Sequence, residues 1–190
     1  ALLTPEDYGI LDLLGTVAII SIYLVVAGTD SSLSYYYFRK EHIKERPIMV
    51  SSTLIVRITF ASVILIIVGL LSEKLSFLFF VKDFSLFFIL TGISLGVQSI
   101  YSLFSYLIRF EKRPWIFTWV SVSNLLVNIS LNIYFILILK KGIWGAIMAS
   151  VISYSLMALF TIFYVFNRYG IHFSKAWALK ILKYGSPLIG

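Results

Sequence analysis

The sequence predicts an all-α, polytopic transmembrane helix bundle, and three observations carry the prediction. Apolar residues make up 59% of the 190 residues, and the mean hydropathy is +0.94. Soluble domains average about 45–50% apolar and about 25% charged residues, whereas only 13% are charged here. The apolar residues also fall into five stretches bounded by charge or by Gly and Pro, each long enough for the roughly 20 helical residues that a hydrocarbon core needs. The same composition excludes other classes. An aromatic content of 17% is foreign to disordered chains. A total lack of cysteine rules out a disulfide-stapled secreted domain.

The five spans are placed at 9–37, 47–71, 84–108, 115–139 and 143–167, with short connections that make successive helices antiparallel neighbours. Transmembrane strands would alternate over about 10 residues, and runs such as Ile64-Leu65-Ile66-Ile67-Val68 do not alternate. Residues 172–190 form a separate region from 1–171. In His172–Tyr184 the apolar Phe173, Trp177, Leu179, Ile181 and Leu182 interleave with Lys175, Lys180 and Lys183, the pattern of an interfacial amphipathic helix. A further span is expected to start near Ser186-Pro187. The opening Ala1-Leu2-Leu3-Thr4-Pro5-Glu6-Asp7 has neither a Met nor a basic region, so it is not a signal peptide. Both ends read as those of an internal fragment of a longer protein.

Basic residues orient the spans. Arg39, Lys40, Lys44, Arg46, Arg109, Lys112, Arg113, Arg168, Lys175, Lys180 and Lys183 lie in one set of connections, eleven in all; the other set holds four, Lys74, Lys82, Lys140 and Lys141. The first set is therefore expected in the cytoplasm and the Thr4-Pro5-Glu6-Asp7 turn outside. The net charge of +7 is mostly this orientation signal. It does not indicate nucleic acid, because no basic, aromatic-interleaved face is present.

Polar groups inside apolar spans are costly and are candidate functional sites by default. Asp30 lies nine residues before Arg39, and Arg57 eleven after Arg46. Gln98 lies eleven before Arg109, and Asn124 eleven after Arg113. At about 1.5 Å per residue these depths are roughly 14–17 Å, near the midplane. Four helices thus place a polar group in one layer, which is expected to face a cavity. Asp30 and Arg57 form either a structural ion pair or part of a functional site, since Arg binds phosphate as well as carboxylate. Ser94, Gln98, Tyr101, Ser102 and Ser105 share a sector of about 100° of the third span, opposite a Gly92/Gly96 packing face. Asn124, Asn128 and Asn132 share one face of the fourth span. They either make interhelical hydrogen bonds or wall a site for hydroxyl-rich substrate. Gly142, Gly145, Ala146, Ala149, Ser150 and Ser153 give the fifth span a close-packing surface.

Catalytic and cofactor signatures are missing. There is no Gly-rich nucleotide loop, His42 and His172 form no ligand pair, and there is no cysteine nucleophile. No enzyme activity, metal or cofactor is expected, and no channel filter is seen.

Four passages carry a family resemblance. Leu2-Leu3-Thr4-Pro5-Glu6-Asp7-Tyr8-Gly9 resembles the extracytoplasmic turn after the first helix of bacterial polysaccharide flippases. Gly28-Thr29-Asp30-Ser31-Ser32-Leu33 with Tyr35-Tyr36-Tyr37 resembles their Gly-Leu-Asp-Ser-Ala-Leu…Arg-Tyr/Phe-Tyr segment, with Ser34 and Tyr35 standing where an Arg is often found. Asn132 with Lys141-Gly142-Ile143-Trp144-Gly145-Ala146 is similar to the passage between helices five and six. Leu182-Lys183-Tyr184-Gly185-Ser186-Pro187-Leu188-Ile189 is similar to the entry to helix seven. The resemblance is to the Wzx-like branch of the multidrug/oligosaccharidyl-lipid/polysaccharide exporter superfamily.

The resemblance implies part of an N-terminal lobe, helices two to six plus the entry to seven, in a bacterial inner membrane. It implies translocation of a polyprenyl-pyrophosphate-linked oligosaccharide by alternating access. Other partners would be membrane lipids and the polysaccharide polymerase and export machinery. On that view Arg57 meets the phosphate or another anion, Gln98, Asn124, Asn128 and Asn132 meet sugar hydroxyls, and Asp30 orients Arg57. Two other readings remain open. A cation-coupled antiporter would use Asp30 as its ion site. A non-transporting membrane scaffold would have Arg57 facing a neighbouring helix with no cavity beside it.

Overall fold

Residue types suited to starting and stopping helices mark the helix ends in the computed structural model, which describes residues 4–79 and 84–188. Helix α1 spans Pro5–Val26. Its start is a capping box: Asp7 N donates to Thr4 Oγ1 at 3.2 Å, Thr4 N donates to Asp7 Oδ2 at 2.7 Å, and Pro5 fills the first position. The chain then runs through α2 (Thr29–Tyr37), a 3₁₀ segment (Lys40–Glu45), α3 (Arg46–Phe79), α4 (Ser85–Phe110), α5 (Pro114–Asn132), α6 (Ile143–Tyr169) and α7 (Lys175–Gly185). No strand occurs among the described residues. Five helical stretches are long and apolar enough to cross a membrane, with α1 and α2 together forming the first. The expected Leu2-Leu3 start of the opening turn, Lys82 and Asp83 of the outer connection, and Ile189 lie outside the described residues. So does any span beyond the 3₁₀ turn Ser186–Leu188.

Helix α4 is central, packing on α3 along one side and α6 along the other, while α1 leans on α4 and α3. Gly92 and Gly96 admit α3: a Cβ on Gly92 would sit 3.4 Å from Leu65 Cδ1, and one on Gly96 would sit 3.3 Å from Ala61 Cβ. Helix α5 buries no residue and lies at the edge against α6. Two apolar clusters fill the bundle. One, including Leu33, Met49, Leu54, Leu103 and Val165, lies toward the end where most basic residues gather. The other, built on Ile10, Leu14, Phe87, Phe88 and Ile147, lies toward the opposite end. Leu70, Leu78, Trp115 and Phe163 are exposed on the outer surface, as expected where the surrounding solvent is lipid.

Three elements differ from the sequence expectation. The first span is not continuous over 9–37. Ala27 (φ 47°) and Gly28 (φ 65°) are both left-handed, so α1 stops and α2 starts. The Ala27 N–H closes α1 on Tyr23 O at 2.9 Å, and the Gly28 carbonyl accepts from Ser32 N at 3.2 Å. The fourth span ends in a π-helical segment, Ile133–Ile138. Gly145 of α6 lies against that segment, where an added Cβ would come within 3.0 Å of the Phe135 backbone.

The third difference concerns α7. It forms where expected, with Ser174 accepting from Trp177 N, but it docks its apolar face on α2 and α3. Trp177 and Ile181 are buried there, while Phe173 and Leu179 stay exposed. Lys180 is exposed and lies over the rings of Trp177 and Tyr36, at 4.4 and 4.7 Å. Two α3 side chains hold the approach to α7: Ser51 donates to Gly170 O (2.7 Å), and Ser52 accepts from Ser174 N (3.0 Å).

The backbones of Gly28 and Gly185 cross so closely that a Cβ on Gly185 would lie 2.7 Å from the Gly28 carbonyl. Ser32 Oγ, one turn into α2, donates to Ile181 O at 2.7 Å beside this crossing. Gly185→Ala is expected to destabilise the purified protein by about 1–3 kcal/mol, the usual penalty for overpacking. Gly69→Ala, at an open helical position, should be neutral or slightly stabilising in the same thermal-unfolding assay.

Candidate functional site

The break in the first span delivers two polar side chains into the bundle. Thr29 and Asp30 open α2, and Asp30 lies in its first turn, where the helix dipole favours a carboxylate. Opposite them, Arg57 of α3 is fully buried. Its Nη2 pairs with Asp30 Oδ1. Its Nε donates to Thr29 Oγ1 at 3.0 Å, and its Nη1 donates to Ser99 O and Ser102 Oγ of α4, each at 2.8 Å. All three guanidinium nitrogens are engaged, through four of the five N–H donors. An arginine in an apolar span is costly; this one has a counter-charge and three neutral acceptors from two further helices.

The other expected site residues lie apart from this cluster. Gln98 is midway along α4 and turns toward α6, where its Nε2 donates to Tyr154 OH at 3.3 Å. It lines a cleft of about 240 Å³ between α1, α4 and α6. Thr91, Ser94, Ser150 and Tyr154 supply the other polar groups, and Leu14, Gly15 and Ala18 of α1 form the facing wall. Arg57 and Asp30 are not among the lining residues. Asn124 accepts from Ser153 Oγ of α6 at 2.7 Å, an interhelical hydrogen bond. Asn132 Nδ2 donates to Asn128 Oδ1 and to Asn128 O, both at 2.9 Å, within one helix face. The polar layer expected from depth alone is therefore divided into three: an ion-pair cluster, a cleft, and an asparagine face.

A second polar centre went unnoticed in the sequence. The Glu111 carboxylate, at the end of α4 and only 8% exposed, accepts from Tyr164 OH at 3.0 Å and Tyr169 OH at 2.7 Å. Arg113 and Arg168 lie 3.5 and 3.7 Å from it, and Tyr169 meets Tyr37 OH at 3.2 Å. This network ties α2, α4 and α6 together at the basic end. Flanked by Lys112 and Arg113, Glu111 looks from the sequence like one more loop charge.

Comparison of the chain with protein-family models, with curated proteins and with solved structures finds no match. The fold and its sites define a class only: an all-helical bundle of membrane-spanning character with a closed ion-pair cluster and a neutral polar cleft.

Removing Asp30 would strand the Arg57 charge. Asp30→Ala is expected to cost about 3–5 kcal/mol, as for other buried pairs cut on one side. The double variant Asp30→Ala/Arg57→Leu should be less destabilised than Asp30→Ala alone, measured by thermal unfolding of the purified protein.

Proposed function

We propose that this chain is the N-terminal lobe region of a bacterial inner-membrane flippase that moves a polyprenyl-linked oligosaccharide between leaflets by alternating access. The observation that carries the reading is the cleft: a row of hydroxyl, amide and phenol groups, reaching from the middle of α4 toward the end away from the basic residues, in a bundle whose exterior is apolar. A membrane protein has little reason to keep such groups beside a void unless something polar visits them. The four motif passages support the same reading. Orientation follows the charge bias, with the eleven-residue basic set in the cytoplasm. Lipids and the polymerase and export machinery are its proposed partners.

Among the proposed substrate residues, Gln98 has the most direct access to a ligand. Asn124 would meet sugar only by giving up its bond to Ser153 of α6, and Asn128 and Asn132 lie apart from the cleft with their amides bonded to each other. An anionic group on the substrate would have to compete with Asp30 for Arg57, which makes Asp30 the gatekeeper of that contact. The same pairing weighs against the cation-coupled antiporter, because Asp30 is not a spare acid. One observation favours a different class. Arg57 faces α2 and α4 and does not line the cleft, as a non-transporting scaffold requires.

Complementation separates these readings. In a bacterial strain lacking its flippase, the full-length protein is expected to restore surface polysaccharide. Ser94→Leu should lower that export by about tenfold or more at unchanged expression, because it removes a lining hydroxyl and fills the cleft. Absence of rescue by a well-expressed wild type would sink the flippase reading. Rescue unaffected by Ser94→Leu would dissociate export from the cleft.

A further inference from the structure

The cleft has a hydrogen-bonding character that narrows its ligand. Among the described residues, the side chains of Thr91 and Ser94 make no hydrogen bond. Gln98 uses one N–H toward Tyr154 and leaves its carbonyl oxygen open, and Tyr154 accepts that bond while its own O–H donates to nothing. Ser150 donates to Ala146 O at 3.2 Å and keeps its lone pairs. The lining thus offers hydroxyl donors from Thr91, Ser94 and Tyr154, a spare amide N–H, and an amide acceptor. Among the described residues no charged side chain lines it. Arg57 and Asp30 are engaged with each other on another side of α4.

This composition discriminates between ligand groups. A phosphate entering the cleft would lose its water and meet no cation, and a cationic amine would meet no carboxylate; both carry a large desolvation cost. An uncharged ring with several hydroxyls loses hydrogen bonds to water and regains them from donors and acceptors already in place. Tyr154 adds an aromatic ring for the C–H face of such a group. Size points the same way. About 240 Å³ lies below the roughly 300–1,000 Å³ of pockets that enclose drug-sized ligands, so the cleft takes one ring rather than a chain of them.

We infer that the cleft formed by Thr91, Ser94, Gln98, Ser150 and Tyr154 is a subsite for a single uncharged, hydroxylated sugar ring, separate from any contact with a phosphate. The inference rests on the flippase reading and assigns this cleft to the neutral part of the amphiphile. Gly15 offers a clean perturbation. It lines the cleft, and a Cβ placed there would meet nothing within 4 Å. Gly15→Leu therefore plugs the space from the α1 side without touching a polar group, and it improves helix propensity.

The test uses the full-length protein in lipid nanodiscs with octyl β-glucoside as probe, octanol and octyl phosphate as comparators, and calorimetric titration as readout. Octyl β-glucoside is expected to bind about tenfold or more tightly than either comparator, because octanol lacks its ring hydroxyls and octyl phosphate carries the desolvation cost of an unpaired charge. Both Gly15→Leu and Gln98→Leu should weaken it by a similar factor, with Gly15→Leu retaining the wild-type unfolding temperature or exceeding it. Equal binding of octanol, preference for octyl phosphate, or undiminished glucoside binding by a folded Gly15→Leu variant would overturn the assignment. Selective glucoside binding by a protein that fails to restore export would uphold the subsite and remove the flippase reading instead.

Discussion

Burial of the Arg57 charge is the constraint on which the rest of the bundle depends. A guanidinium with no exposed surface must find acceptors for each of its nitrogens within the protein, and the helix that carries it supplies none of them. The structure meets this demand from two neighbours. Helix α4 supplies the Ser99 carbonyl and the Ser102 hydroxyl. The first span supplies Thr29 and Asp30, at the point where it is interrupted. Interrupting a helix in an apolar medium is tolerated only where the freed groups stay inside protein; here the Ala27 N–H closes α1 on Tyr23 O, and the Gly28 carbonyl accepts the first bond of α2 from Ser32 N. The interruption also exposes the Gly28 backbone, against which Gly185 closes. A single buried charge is thereby linked through the helix break to the docking of α7 more than 120 residues away in sequence.

Helix α4 divides the interior into regions of opposite character. Toward α2 and α3 its polar atoms are engaged with Arg57. Toward α1 and α6 its polar atoms border a void and are largely unpaired. The closed side has the features of a structural joint: complete burial, a counter-ion, and acceptors drawn from several helices. The open side has the features of a place where a ligand is exchanged. For a transporter this separation is useful, because rocking motions need rigid joints as well as a site with vacant hydrogen-bonding capacity. The Glu111 network gives the basic end a second joint, linking α2, α4 and α6.

Much of the architecture was legible because charge, Gly and Pro punctuate the spans. The expected 84–108 and 143–167 differ from α4 and α6 by at most two residues at either end. The expected 47–71 stopped short of Phe79 because hydropathy marks the thickness of an apolar slab, whereas the helix runs on through Ser72, whose hydroxyl returns to the Gly69 carbonyl. The break at Ala27–Gly28 was missed although Gly28-Thr29-Asp30 holds a helix-stop residue followed by residues that favour helix starts. Depth was readable from the constant rise of a helix, and so Asp30 and Arg57 were placed at matching levels. Azimuth was not. Gln98 and Ser102 fall in one sector of α4, yet one turns to Tyr154 and the other to Arg57, because that sector straddles two neighbours whose positions are set by tertiary packing.

The division between a closed and an open side can be measured directly, since the sequence contains no cysteine. Single cysteines placed at Ser94, on the cleft, and at Ser99, beside Arg57, would be exposed to a water-soluble thiol reagent in the membrane-embedded protein, with full reaction after denaturation as the reference. The account predicts that the cysteine at position 94 reacts readily and the one at position 99 stays protected until the protein is unfolded. Equal reactivity at the two positions, or faster reaction at 99, would contradict it.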